Sequence, residues 1–154
     1  LPEKELLYFH PMNLDLVVTH SVSIKATPEQ VWMLITDPGV IKVFLFGSEV
    51  TTDWKTGSPL FFRGEWQGQR YEDKGLIQQV APPHLLQYTY HSGFSGLTDV
   101  PENYSLVTYT LEEAAGGTLL QVQQKGFAGE VQQQHSASGW KQALEKIKEV
   151  AETK

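Results

Sequence analysis

The sequence predicts an α+β domain in which a curved antiparallel sheet of about six to seven strands, with two short helices, grips one long C-terminal helix. Three observations predict it. Residues 14–25 alternate with period two, residues 48–127 are strand-like runs separated by turn residues, and the chain ends in an amphipathic helical stripe. A curved sheet must cover its apolar face, and the terminal helix is the one predicted element of suitable length.

In the first strand Leu14, Leu16, Val18, His20, Val22 and Ile24 share one face, and Asp15, Val17, Thr19, Ser21, Ser23 and Lys25 the other. "ATPEQVWMLITDPG" then begins a short helix. Thr27 is the expected N-cap, Pro28 the first helical residue, Glu29 and Gln30 complete the first turn, and Pro38-Gly39 is the expected stop. Its nearly continuous apolar run, Val31 to Ile35, predicts a helix covered on several sides, and "VIKVFLFG" reads as a second short helix or an apolar loop.

From Ser48 to Phe127, breaks at Gly57-Ser58-Pro59, Gln67-Gly68, Pro82-Pro83 and Gly116-Gly117 predict a meander of hairpins. Residues 91–103, "HSGFSGLTDVPEN", are expected to form a mobile loop, with a lid as one reading. After Gly129 the stripe Trp140, Ala143, Leu144, Ile147, Val150 and Ala151 predicts the long helix, with Lys141, Glu145, Lys148, Glu149 and Glu152 facing water. Trp54, just before the Gly57 turn, is assigned to the fold, because burying an indole of ~200 Å² is worth about 5 kcal/mol gross.

A chain of 154 residues suits one domain, here placed at 14–154 behind an N-terminal extension at 1–13. Twelve Lys and Arg against eighteen Asp and Glu leave a formal charge of −6, and no basic run tracks a phosphate backbone, so nucleic acid is not an expected partner. No segment reaches the ~18 apolar residues of a membrane span. "LPEKELLYFHPM" lacks the pattern of a secretory signal, so the expected setting is soluble and cytoplasmic. With no cysteine, disulfides, thiolate metal sites and cysteine nucleophiles are excluded.

Five histidines, at positions 10, 20, 84, 91 and 135, show no metal-binding spacing, and neither a G-x-S-x-G elbow nor a phosphate-binding glycine loop is present. No metal, cofactor or catalytic residue is therefore expected. Strand parity puts Leu60, Phe62, Gly64 and Trp66 on one face, with Tyr71, Gly75 and Ile77 and then Leu86, Tyr88 and Tyr90 as matching sets on the next strands. These rings suit either a core or a pocket. Gly64 and Gly75 are read as serving sheet curvature. Arg63 and Arg70, with Glu65 and Glu72, read as a solvated charge cluster, the alternative being a clamp for a substrate carboxylate. His20 is either a core or edge histidine or a polar contact on a cavity wall, and His135 either opens onto that cavity or faces solvent.

"TPEQVW", "DWKTG", "GLIQQVAPPHLLQYTY", and "KGF" followed by "GWKQALEKIK" resemble the activator of heat-shock-protein-90 ATPase homologue family of the START-like, or SRPBCC, superfamily. The resemblance runs from about Leu14 to the C-terminus. It implies the helix-grip fold also seen in the birch pollen allergen, and a cavity between sheet and helix in which superfamily members bind lipids, hormones or polyketides. In one respect the chain departs from it: many relatives carry a histidine before the glycine near the end of the last strand, where this chain has Gln124, Lys125, Gly126 and Phe127.

The leading expectation is binding of a hydrophobic or aromatic small molecule by a candidate set of His20, Phe62, Trp66, Tyr71, Tyr88, Tyr90, Phe94, Tyr104, His135 and Trp140, in a monomer or homodimer. The alternatives are a co-chaperone-like domain that binds the chaperone, or an enzyme of cyclase or dehydratase type using His20 or a tyrosine as acid or base. A dry void of ~300 Å³ would cost about 7 kcal/mol, so a cavity must be largely filled by rings or polar enough to hold water; the tyrosines, Thr108 and His20 would serve the second case.

Overall fold

The computed structural model describes residues 12–153. Residues 1–11 of the expected N-terminal extension lie outside the described residues. Seven antiparallel strands form one sheet: β1 (Asn13–Ile24), β2 (Glu49–Thr51), β3 (Pro59–Trp66), β4 (Gln69–Ala81), β5 (Leu85–Tyr90), β6 (Ser105–Ala114) and β7 (Gly117–Phe127), in the spatial order β1-β7-β6-β5-β4-β3-β2. Helices α1 (Pro28–Ile35) and α2 (Pro38–Phe44) connect β1 to β2, and α3 (Glu130–Glu152) follows β7 and packs across β1 and β7. This is the helix-grip arrangement. Among the described residues no helix is long and apolar enough to cross a membrane.

Local chemistry explains most boundaries. Thr27 and Gln30 form a reciprocal capping box, with Thr27 Oγ1 accepting from Gln30 N and Gln30 Oε1 from Thr27 N, at 3.1 and 2.9 Å. Pro38-Gly39 does not merely stop α1. Asp37 Oδ1 accepts from Gly39 N at 2.8 Å, which makes the same prolyl-glycyl pair the start of α2 and resolves "VIKVFLFG" as helical through Phe44. Coverage of α1 is narrower than expected, since Val31 and Ile35 are buried but Met33 is 70% exposed.

Hairpins β3–β4 and β6–β7 turn through Gln67-Gly68 and Ala115-Gly116, each pair with positive φ, the geometry of a two-residue turn that matches strand twist. The second turn thus falls one residue before the expected Gly116-Gly117. In β1, parity holds from Leu16 onward, but the register shifts between Asn13 and Val17 and Leu14 is left exposed. The predicted stripe of α3 is found, with Trp140, Ala143, Leu144 and Ile147 buried. Lys148 and Glu152, on the water-facing side as expected, also tie the helix to the end of β1: Lys148 Nζ donates to Ser23 O at 2.7 Å and Lys25 N to Glu152 Oε2 at 2.8 Å.

Trp54 is half-buried and packs against the core beside a gap of about 10 Å³ shared with Ile35, Phe44 and Leu86. Its φ of 59° is a left-handed conformation that costs a non-glycine residue about 1–3 kcal/mol, so the indole's packing must outweigh that strain. Trp54→Ala is expected to destabilise the fold by about 2 kcal/mol, some half the cost of a fully buried tryptophan, read as a lower midpoint in urea. An unchanged midpoint with impaired ligand binding would move Trp54 from the fold to the site.

Candidate functional site

A cavity of about 530 Å³ lies between the inner face of the sheet and the first half of α3. Its origin is visible in α3. From Ala143 onward the helix presents buried apolar side chains to the sheet, whereas the residues it offers before Trp140 are Gln132, His135, Ser136 and Gly139, too small or too polar to fill the gap. Gly139 has nothing within 4 Å of the position a Cβ would take.

The sheet supplies a chain of aromatic rings. Phe62 lies 5.9 Å from Tyr88 and 6.0 Å from Tyr90, Tyr88 lies 6.2 Å from Tyr109, and Tyr109 meets Trp140 edge to face at 5.7 Å. Burial pushes the Tyr88 and Tyr109 hydroxyls well above the usual tyrosine pKa, so both stay protonated. Tyr71 folds across Gly64, where a Cβ would sit 2.5 Å from the tyrosine hydroxyl. Gly64 thus makes room for a ring rather than serving curvature alone, and it leaves Tyr71 free to bond Ser48 Oγ at 2.6 Å and to pack at 5.7 Å from Phe94.

Two polar groups interrupt this wall. The first is Gln124, buried on β7 where the resemblance had raised the question of a histidine. Its Oε1 accepts from Ser136 Oγ and Trp140 Nε1, both at 2.8 Å, and its Nε2 donates to Ser105 Oγ at 3.1 Å, which donates onward to Gly126 O at 3.0 Å. One amide thereby joins β7, β6 and α3. The second is Asp73 on β4, 8% exposed and directly opposite Phe62. Tyr90 donates its hydroxyl to Asp73 Oδ2 at 2.5 Å and Gly93 N donates to Oδ1 at 2.8 Å.

Burial is the largest influence on Asp73 and raises its pKa, outweighing the hydrogen bonds from Tyr90 and Gly93 and the attraction of His91. Between the unfolded value and this higher folded one, the folded chain binds more protons. Asp73 therefore makes the fold less stable as pH rises through that window, and its cost is complete above the folded value. No side-chain polar atom buried among the described residues lacks a hydrogen-bond partner.

The candidate residues divide accordingly. Phe62, Tyr71, Tyr88, Tyr90 and Trp140 line the cavity from within, while His135, Trp66 and Phe94 line it as exposed residues. Trp66 has the parity of Phe62 but sits at the tip of the β3–β4 hairpin and is 59% exposed. With the exposed Phe46 and Phe94 it gives the lining an aromatic rim.

His20 and Tyr104 do not line the cavity. His20 is half-buried on the even-numbered face of β1, the strand that α3 packs against, and is thus away from the open space. Tyr104 stacks on His91 at 5.1 Å and donates to Asp99 Oδ1 at 2.5 Å. Thr108 belongs to the outer face, where it accepts from Gln87. Arg63 likewise points outward, pairing with Glu72 at 2.7 Å as the charge-cluster reading requires.

The loop expected to be mobile is laced to its surroundings. His91 exchanges both backbone hydrogen bonds with Lys74, at 2.8 and 3.1 Å, Lys74 Nζ pairs with Asp99, and Asn103 joins Thr98 O to Met12 N, at 2.9 and 3.1 Å. Asp73, Asn103, Ser105 and Gln124 were missed as cavity residues. Strand parity was the available signal, since Asp73 lies between Tyr71 and Gly75, and Gln124 follows Leu120 and Val122 at even positions.

No functionally curated protein shows significant similarity to the sequence. Among solved structures, ChR145 from Cytophaga hutchinsonii is 38% identical, with 90% of this chain and 95% of that one aligned and a TM-score of 0.75. CV1439 from Chromobacterium violaceum is 21% identical over 91% and 99% of the two chains at a TM-score of 0.75. The Aha1 dimer from Colwellia psychrerythraea is 15% identical over 89% and 96% at 0.69, a likeness of fold. The family model described as Activator of Hsp90 ATPase homolog 1-like protein matches residues 25–152, from the end of β1 to the last turn of α3, and the chain belongs to that family.

Proposed function

We propose that this domain binds a largely apolar, aromatic small molecule between the sheet and the first half of α3, with no catalytic step. The observation that carries this is the cavity itself. Its volume of about 530 Å³ falls in the ~300–1,000 Å³ range of small-molecule sites. Kept dry, such a space would cost about 13 kcal/mol at ~24 cal/mol per Å³, on the scale of a domain's whole stability. Its serines, amides and carboxylate supply the partners that hold water until a ligand displaces it. The acid–base alternative loses its histidine, because His20 lies away from the cavity.

The test uses Gly139. Gly139→Leu points a side chain into open space and replaces a poor helix former. It is expected to stabilise the domain by about 1 kcal/mol, raising Tm by roughly 2–4 °C, while abolishing thermal shifts produced by aromatic ligands. Native mass spectrometry of freshly purified wild-type protein, looking for a copurifying small molecule, supplies the ligand. Thermal shifts that persist unchanged in Gly139→Leu, or a wild-type protein that responds to no aromatic compound, would refute the proposal.

A further inference from the structure

Asp73 is a buried carboxylate that takes part in no ion pair among the described residues. Strand parity explains the isolation. Arg63 on β3 and Lys74 on β4 occupy the outer face, where they pair with Glu72 and Asp99. The nearby base, His91, has its ring Nε2 against Leu97 O at 3.1 Å. Among the described residues that line the cavity, the charged side chains are Asp73 and Glu65, and none is Lys or Arg.

Asp73 is also held ready. Tyr90 and Gly93 occupy one acceptor position on each oxygen, the Ser92 hydroxyl also lies against the carboxylate, and together they fix its plane while leaving about one of its four lone-pair sites unused. A buried anion without a counter-charge is costly, and a cation arriving with a ligand relieves that cost where a second anion adds to it. The ring of Phe62, opposite Asp73 in the β3–β4 register, offers an aromatic surface beside the charge.

We propose that the cavity selects aromatic molecules that carry an amine, with Asp73 receiving the ammonium, and that it rejects aromatic carboxylates. This rests on the binding function proposed above and adds the charge of the ligand to it. Arg63 and Arg70, read from the sequence as an alternative carboxylate clamp, do not line the cavity.

Three probes with one ring system separate the two ideas: 1-naphthylmethylamine, 1-naphthalenemethanol and 1-naphthoate, titrated calorimetrically into the wild-type protein and Asp73→Asn at pH 7. The amine is expected to bind wild type about tenfold more tightly than the alcohol, and the carboxylate at least about tenfold more weakly than the alcohol. In Asp73→Asn the advantage of the amine over the alcohol is expected to fall below about threefold. The variant keeps the shape of the group: its Oδ1 can accept from Gly93 N and its amide can donate to Tyr90. Because the wild-type ranking needs no variant, the proposal is testable even if Asp73→Asn folds poorly. Equal binding of all three probes, tighter binding of the carboxylate, or an amine preference that survives in a folded Asp73→Asn overturns the charge selection and leaves the cavity function standing. Failure of all three probes to bind overturns both.

Discussion

Trp140→Ala is expected to destabilise the domain by about 3–5 kcal/mol and to lower its Tm by about 6–20 °C. Trp140 is 8% exposed, meets Tyr109 edge to face, and donates its indole N–H to Gln124 Oε1. Truncation removes the ring that separates the filled half of the helix–sheet interface from the open half, merging the space it vacates with the existing cavity. Gln124 Oε1 keeps its bond from Ser136, so packing supplies most of the loss. Trp140→Phe should isolate the remainder, retaining an aromatic body but losing the N–H, at a cost of about 1–2 kcal/mol. Urea titration of both variants is the check. A loss below about 1 kcal/mol for Trp140→Ala would show that the helix is held by its Ala143, Leu144 and Ile147 half alone.

Gly75→Ala is expected to be comparably severe, at about 3 kcal/mol, although it adds one methyl group. A Cβ at Gly75 would lie 1.6 Å from the Thr89 carbonyl oxygen and 2.6 Å from its carbon. Those are backbone atoms, so relief requires β4 and β5 to move apart. The same crossing holds Leu76 N to Thr89 Oγ1 at 3.0 Å and the Lys74–His91 backbone pair, on which Asp73, Tyr90 and the loop above them depend. Hydrogen exchange should therefore show Leu76, Lys74 and His91 losing amide protection together, while α3 retains its own. Protection that stays unchanged at all three, with a normal midpoint, would mean that the strands absorb a methyl group where the geometry leaves no room. Gly139→Leu is the counterpart: a larger side chain at a glycine with open space around it, expected to stabilise.

Much of the fold was legible because its signals are local. Thr27, Pro28 and Gln30 form a helix start from four consecutive residues, and Gln67-Gly68 sets a hairpin from two. The stripe on α3 needs only a 3.6-residue period. Boundaries slipped where distant pairing intervened, as at Leu14, which has the right parity but lies ahead of a register shift against β7.

The site was less legible. Aromatic residues on the inner face announced themselves by type and parity, and Phe62, Tyr71, Tyr88 and Tyr90 are where parity put them. Asp73 and Gln124 share that parity, yet a carboxylate or an amide inside a strand does not advertise whether its partners exist. Those partners come from far along the chain: Tyr90 and Gly93 for one, Ser105, Ser136 and Trp140 for the other.

Within the regular stretch of each strand and helix, the sequence by itself determined which side chains share a face, because backbone periodicity sets that grouping. Only the tertiary structure decided which inward side chains meet other side chains and which meet open space. That depends on where α3 crosses the sheet: Ala143, Leu144 and Ile147 close down on it, while Ser136 and Gly139 leave room. Parity alone therefore gave His20 and Tyr88 the same direction, and the crossing of one helix put Tyr88 in the cavity wall and His20 outside it.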